Sequence, residues 1–278
     1  AQCLVGAEMC IRDRDTSLNL SFLKNRVKEL PAFIPELITG SVSSFISGYE
    51  ITRVGDPIYS YYGYEVEGIF QKDDNIASSA QPNAKPGELK FKNQDSDNAI
   101  TSNDRVVLGK PFPDVTFGFT NSLRYKNFSL SIFVQGVLGI QTLDANVIET
   151  LYPTNEYRNR IAKYYTGRWT ENNPTNKYPS GVNPSNYGGQ YSINSLTVVD
   201  ASFVRIKNIN LSYDIPIKKN NIIQAASIYG AIDNLFTFTD YDGFDPDASA
   251  SGSDKVSKVN YNSYPLARTV RFGVNITF

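Results

Sequence analysis

Histidine is absent from the 278 residues, and cysteine occurs only at Cys3 and Cys10. Without histidine there is no imidazole acid–base catalysis, no Ser-His-Asp or Cys-His nucleophile and none of the usual zinc sites. No convergent nucleophile or acid–base set among the Asp and Glu residues takes their place, so an enzyme is not expected. No apolar run approaches the roughly 20 residues of a membrane-spanning helix, so any crossing of a bilayer would be made by strands closed into a barrel. The formal net charge is −1. Bulk charge therefore points to neither nucleic acid nor an anionic surface. What the chain does have is 18 Tyr and 16 Phe, set among Asn, Ser and Thr, a usage that suits β-structure.

The last residues show the pattern most plainly. Val270, Phe272, Val274, Ile276 and Phe278 alternate with Arg271, Gly273, Asn275 and Thr277. A period of two is that of a strand. Alternation alone also fits a water-soluble sandwich. A strand of about ten residues ending on an aromatic, Phe278, on its apolar face fits a transmembrane barrel better, because such strands need roughly 9–11 residues and carry aromatic girdles. This set, Val270, Phe272, Val274, Ile276 and Phe278, is expected to serve as the C-terminal signal for the barrel-assembly machinery.

Val115 to Leu138 reads as a hairpin. Its two-residue turn, Lys126-Asn127, sets Tyr125 opposite Phe128 and Leu123 opposite Leu130. The other side carries Thr116, Gly118, Thr120, Ser122 and Arg124 against Ser129, Ser131 and Gln135. Asp15 to Lys28 reads as a strand, Ala225 to Phe238 as another. In Ala201 to Ile215 the apolar positions change phase between Val204/Ile206 and Ile209/Leu211/Tyr213, so a bulge is expected near Lys207-Asn208. Pro57 to Phe70 is tyrosine-rich, and a short helix is expected within Asn155 to Thr170. Residues 71–114, 139–199 and 239–265 read as long loops. Lys126-Asn127 and Pro216–Asn221 are short turns. Short and long connections alternate, as periplasmic turns and extracellular loops do in outer-membrane barrels.

Residues 1–14 (AQCLVGAEMCIRDR) lack this alternation and hold both cysteines and the sole methionine. They resemble translated sequencing-adapter read-through and are expected to be non-native, with a short native loop as the alternative. Residues 15–278 are taken as the barrel portion.

Several motifs then resemble one family. Val199-Asp-Ala-Ser-Phe-Val-Arg-Ile-Lys-Asn-Ile-Asn-Leu-Ser-Tyr213 resembles the DxSFxRLKNxxLxY segment of the SusC/RagA family of TonB-dependent outer-membrane transporters. Asn234-Leu-Phe-Thr-Phe-Thr-Asp-Tyr-Asp-Gly-Phe-Asp-Pro246, Arg168-Trp-Thr-Glu-Asn-Asn-Pro174, Tyr178-Pro179 and Tyr264-Pro265 continue the match, as do Tyr62-Gly-Tyr64, Gly68-Ile-Phe70, Lys85-Pro-Gly-Glu-Leu-Lys90 and Pro113-Asp114.

The resemblance implies an all-β, transmembrane antiparallel β-barrel. This chain would be a fragment carrying about the last seven strands of roughly 22, with long extracellular loops and without the N-terminal plug. It further implies residence in the outer membrane of a Gram-negative (Bacteroidetes-like) cell and import of glycans or peptides. The implied partners are a SusD-like surface lipoprotein, the TonB complex acting through the missing plug, outer-membrane lipid and the barrel-assembly machinery, with no nucleic acid. A TonB-dependent siderophore or vitamin receptor and a secreted all-β glycan-binding module are the alternative readings.

Within that frame Arg124, Gln135, Arg271 and Asn275 are expected to face the lumen. Tyr164, Tyr165, Trp169, Tyr187 and Tyr191 are candidates for stacking on substrate; packing of the loop itself is the competing reading. Asn93, Asp95, Asp97 and Asp104 have oxygen side chains at offsets 1, 3, 5 and 12 and resemble a degraded calcium loop, with Asn98 in place of the turn glycine. A polar solvated loop is the alternative. No other cofactor is expected.

Overall fold

The structure is a computed structural model that describes residues 12–43, 46–150, 159–181, 191, 193–217, 222–247 and 258–278. Six strands form one antiparallel sheet, here called the wall: β1 (Arg12–Phe22), β2 (Val115–Tyr125), β3 (Phe128–Leu138), β4 (Phe203–Ile215), β5 (Ala225–Phe238) and β6 (Thr269–Thr277). Each pairs with the next in chain order. Successive strands run in opposite directions, so the connections 23–114, 139–202 and 239–268 leave from one rim. The turns 126–127 and 216–224 lie at the other.

Register aligns the side chains into rows. Leu123, Leu130, Leu211, Gly230 and Phe272 are cross-strand partners in turn, and so are Tyr125, Phe128, Tyr213, Ile228 and Val274. The intervening rows are polar, as in Ser122, Ser131 and Asn210. At the hairpin turn Lys126 adopts φ +52°, and Tyr125 meets Phe128 as the spacing requires. The expected bulge is present: pairing skips from Ile206 to Asn208 along both edges of β4, leaving Lys207 as the extra residue. That insertion keeps Val204, Ile206, Ile209 and Leu211 on one face.

β1 starts at Arg12, three residues before the expected boundary. Arg12 pairs with Tyr125 and Arg14 with Leu123, so two arginines take positions that the neighbouring strands give to apolar side chains.

The three long loops build a second body above the rim, here called the cap. Its largest sheet orders Glu36–Ser43, Ile46–Arg53, Ser60–Tyr64 and Arg105–Gly109. Val66–Ile69 pairs with Leu89–Phe91. Gln141–Asp144 lies between Val198–Asp200 and Val259–Asn260. The tyrosine-rich stretch therefore adds nothing to the wall, which has six strands among the described residues; Tyr61 and Tyr64 lie in the cap interior. Residues 71–114 hold two short strands and two 3-10 turns, so this connection is ordered. The anticipated helix is confined to Ala162–Gly167, and a further one, Ala145–Thr150, had no sequence signal. Two hydrophobic clusters fill the cap, one around Tyr64, Leu89, Phe91 and Trp169, the other around Ile46, Tyr49, Tyr61 and Leu143. Gly63 leaves no room for a side chain: a Cβ there would lie 2.2 Å from the Ile193 carbonyl oxygen.

Candidate functional site

A wall with two chemically distinct faces is the site's foundation, and the period-two sequence produces it directly. On the apolar face Leu211, Phe272 and Val274 stand 49%, 84% and 61% exposed. Aromatics mark both ends of that face. Phe128 and Tyr213 meet at 4.7 Å near the short turns, and Phe236 meets Phe238 edge-on at 4.7 Å near the cap. An eleven-residue strand is about 33 Å long. Tilted by roughly 40° it spans about 25 Å, the height of the apolar band of a membrane barrel.

The polar face carries Arg124, Gln135, Arg271 and Asn275 together. Arg124 reaches Asp214 at 3.3 Å, and Arg271 reaches Asp233 at 2.8 Å. Asp233 also accepts a hydrogen bond from the Asn208 amide at 2.6 Å, and the Ser122 and Ser131 hydroxyls lie 3.2 Å apart. Gln135 is the register partner of Arg205, and Asn275 that of Ser227. Together with Asp15 and Ser212, these hydroxyls line a polar hollow of about 310 Å³.

Of the five stacking candidates, three pack within the cap, as the competing reading has it. Tyr164 and Trp169 are buried in the cluster with Leu89 and Phe91, and the Trp169 Nε1–H donates to Gln71 Oε1 at 2.9 Å. Tyr191 stacks on Phe91 with centroids 5.1 Å apart and planes 19° apart. Tyr164 and Trp169 thus fill the cap's own core, and Tyr191 packs against its edge. Tyr165 is 61% exposed, with the Arg168 guanidinium 5.8 Å from its ring centre. Tyr187 lies outside the described residues.

The calcium-loop expectation meets a different geometry. Asn93, Asp95 and Asp97 each accept from a backbone N–H two or three residues ahead. Asp104 is fully buried, with Oδ1 accepting from Gln94 N and Oδ2 from Thr101 N, both at 2.7 Å. It closes a capping box with Thr101. Among the described residues no three carboxylate, thiol or imidazole side chains converge as a metal site.

Sequence reading missed the polar groups that join cap to wall and loop to loop. Arg205, buried at the top of β4, bonds Asp245 Oδ1 at 2.5 Å and the Thr237 hydroxyl at 2.8 Å. Burial acts to raise the Asp245 carboxyl. The Leu266 and Asp247 amides and the Arg205 guanidinium outweigh it and hold the group below the ordinary aspartate value. Tyr241 donates to Asp144 Oδ2 at 2.7 Å, and the Asn260 amide donates to the Tyr241 hydroxyl at 2.6 Å. Burial raises the Asp144 carboxyl and, together with that neighbouring carboxylate, the Tyr241 phenol. The available signal was in the motifs: Arg205 lies in one, Tyr241 and Asp245 in another.

A sheet that shows hydrocarbon-like side chains on one side, hydroxyls and paired charges on the other, and all its long loops at one rim defines a portion of an outer-membrane β-barrel. No family model matches the chain. It is 33% identical over 95% of its length to TonB-dependent receptor P3 of Formosa agariphila and 32% identical over 95% to receptor P26 of that organism. To TonB-dependent receptor SusC of Bacteroides thetaiotaomicron it is 26% identical over 70% of its length. The chain spans about a quarter of the P3 and P26 receptors, 26% and 27% of their lengths. The solved RagAB peptide transporter superposes on 98% of the chain with a TM-score of 0.72 at 21% identity, the chain covering 28% of that structure. Its open-open state gives 0.74. The chain belongs to the SusC/RagA family of TonB-dependent receptors.

Proposed function

We propose that the full-length protein containing this chain is an outer-membrane importer of glycans or peptides, working with a SusD-like surface lipoprotein and energised through TonB. The observation that carries this reading is the two-faced wall with every long connection on one rim. The apolar face meets lipid, where the polar backbone is satisfied by strand pairing. The polar face, with Arg124, Gln135, Arg271 and Asn275, borders the passage, and the cap faces the cell exterior. The chain's task is selection and passage without covalent chemistry. Residues 1–14 are read as foreign to the barrel on their composition and lack of alternation, and Arg12 and Arg14 put charge on the apolar side of β1, although β1 pairs with its neighbour from Arg12 onward.

The test is deletion of the full-length gene in its native host, followed by uptake of labelled oligosaccharides, peptides, siderophores and cobalamin. Loss of oligosaccharide or peptide uptake, reproduced by deleting the gene for the neighbouring lipoprotein, is the expected result. Loss of siderophore or cobalamin uptake alone would overturn it.

A further inference from the structure

We propose that the three long loops form a single latched body, so that this sector of the cap moves as one piece on the wall and no loop opens by itself. The latch centres on the Lys258 main-chain carbonyl in the third loop. It accepts from the Tyr61 hydroxyl of the first loop at 2.5 Å, and from the Thr142 hydroxyl and Leu143 N–H of the second at 3.0 and 3.3 Å. One acceptor thus ties all three loops.

Each pair of loops also has a tie of its own. First and second loops exchange main-chain bonds, Tyr64 N to Ile193 O at 2.9 Å and Ser195 N to Tyr64 O at 3.0 Å, and Val66 N donates to the Ser195 hydroxyl. Second and third share a parallel pairing, Leu143 with Val259 and Asp144 with Asn260. That pairing is clamped by the buried set Asp144, Tyr241 and Asn260, to which Asn146 adds bonds to Asn260. First and third meet at Tyr61 and Val259, both in the same buried cluster as Leu143. Separating any two loops would break buried polar contacts in the third and leave groups unpaired away from water, the costly case for a hydrogen bond. The body is attached to the wall separately, by Arg205 of β4 holding Asp245 of the third loop. Where the second and third loops leave the rim, the Ser202 hydroxyl accepts from Gly139 N and the Thr239 hydroxyl donates to Ser202 O.

The inference does not depend on which substrate is carried, and its test reads amide exchange on the full-length protein in detergent micelles. In Tyr241→Phe, which deletes one hydroxyl from the third loop, amides in 60–64, 141–144 and 258–260 should all exchange roughly tenfold faster, because local opening is cooperative. Faster exchange confined to the third loop would overturn the proposal. A double substitution, Leu143→Cys with Val259→Cys, places thiols on paired residues of two loops, within the Cα spacing a disulfide accepts. Added to Tyr241→Phe, the oxidised pair should restore protection in all three segments, 60–64 included, and reduction should remove it. Restoration limited to the two cross-linked strands would count against a single body. Heat-modifiable gel mobility confirms in each case that the barrel has folded.

Discussion

In the wall, Leu123, Leu211, Val274 and Phe272 point outward with a third to four-fifths of their surface uncovered, whereas in the cap Tyr61, Leu89 and Leu143 are covered completely. The residue types are much the same; the environments they are built for are not. Each of these three cap residues is enclosed by protein, because side chains from different loops meet in the two buried clusters. Each wall residue has protein to left and right only, and the apolar rows await another apolar phase. At about 25 cal/mol per Å², rows of exposed leucine and phenylalanine are a large uncollected free energy in water and a source of stability in lipid. The cap is thus stabilised like a water-soluble domain, and the wall by its solvent.

That contrast can be broken experimentally, most forcefully inside the cap. Trp169→Ala removes a buried indole and should cost about 3–5 kcal/mol. Limited proteolysis should then cut the loops while the barrel keeps its heat-modifiable mobility. Simultaneous collapse of both would mean the two regions are not separate bodies.

On the wall, Leu211→Arg should cost roughly 2–4 kcal/mol in the equilibrium for folding into lipid vesicles. Ser131→Arg, on the polar face of the adjacent strand, should be tolerated. Equal penalties would show that both faces meet the same medium.

A smaller effect is expected with pH. The Asp245 carboxyl lies below its ordinary value, so its contribution is complete above the unfolded value of about 3.9 and fades as pH falls through the lower folded value. Loop amides near 245 and 266 should lose protection below about pH 4 in the natural protein, and much less steeply in Asp245→Asn. The smallest effect belongs to Tyr165→Ala, which should leave stability within about 0.5 kcal/mol. A fall in uptake would assign this exposed ring to substrate, and unchanged uptake would retire it.

Legibility in the sequence follows the same division. Val115–Tyr125, Phe128–Leu138 and Ala225–Phe238 were readable to the residue, since one face of each strand meets a different medium and the side chains must alternate. Even the Lys207 bulge showed as a change of phase. Nothing comparable marks the cap. Tyr61, Tyr62 and Tyr64 are buried whichever way they point, so alternation there does not tell one medium from another. Thr142 bonds a carbonyl 116 residues away, beyond any local pattern. The stacking candidates could not be sorted in the sequence for a related reason: a tyrosine that fills a loop core and one that meets a ligand have the same neighbours in sequence. Arg205 and Asp245 were visible as motif letters, but their partnership appears only once the third loop folds back over β4.

The Lys207 insertion has one more consequence. In the partner strand β5 the pairing skips from Asp233 to Phe236, leaving Asn234 and Leu235 beside it, with Asn234 at φ +53°. Two irregularities abreast make a crease across the pleated ribbon just below Arg205, and such places bend and twist more than regular strand. A chain with Lys207 deleted would alternate without a fault and keep its greasy and hydrophilic sides intact. It would also be straighter at the lip, with the guanidinium aimed away from its carboxylate, and the superstructure would lose its anchor while the staves beneath stayed sound.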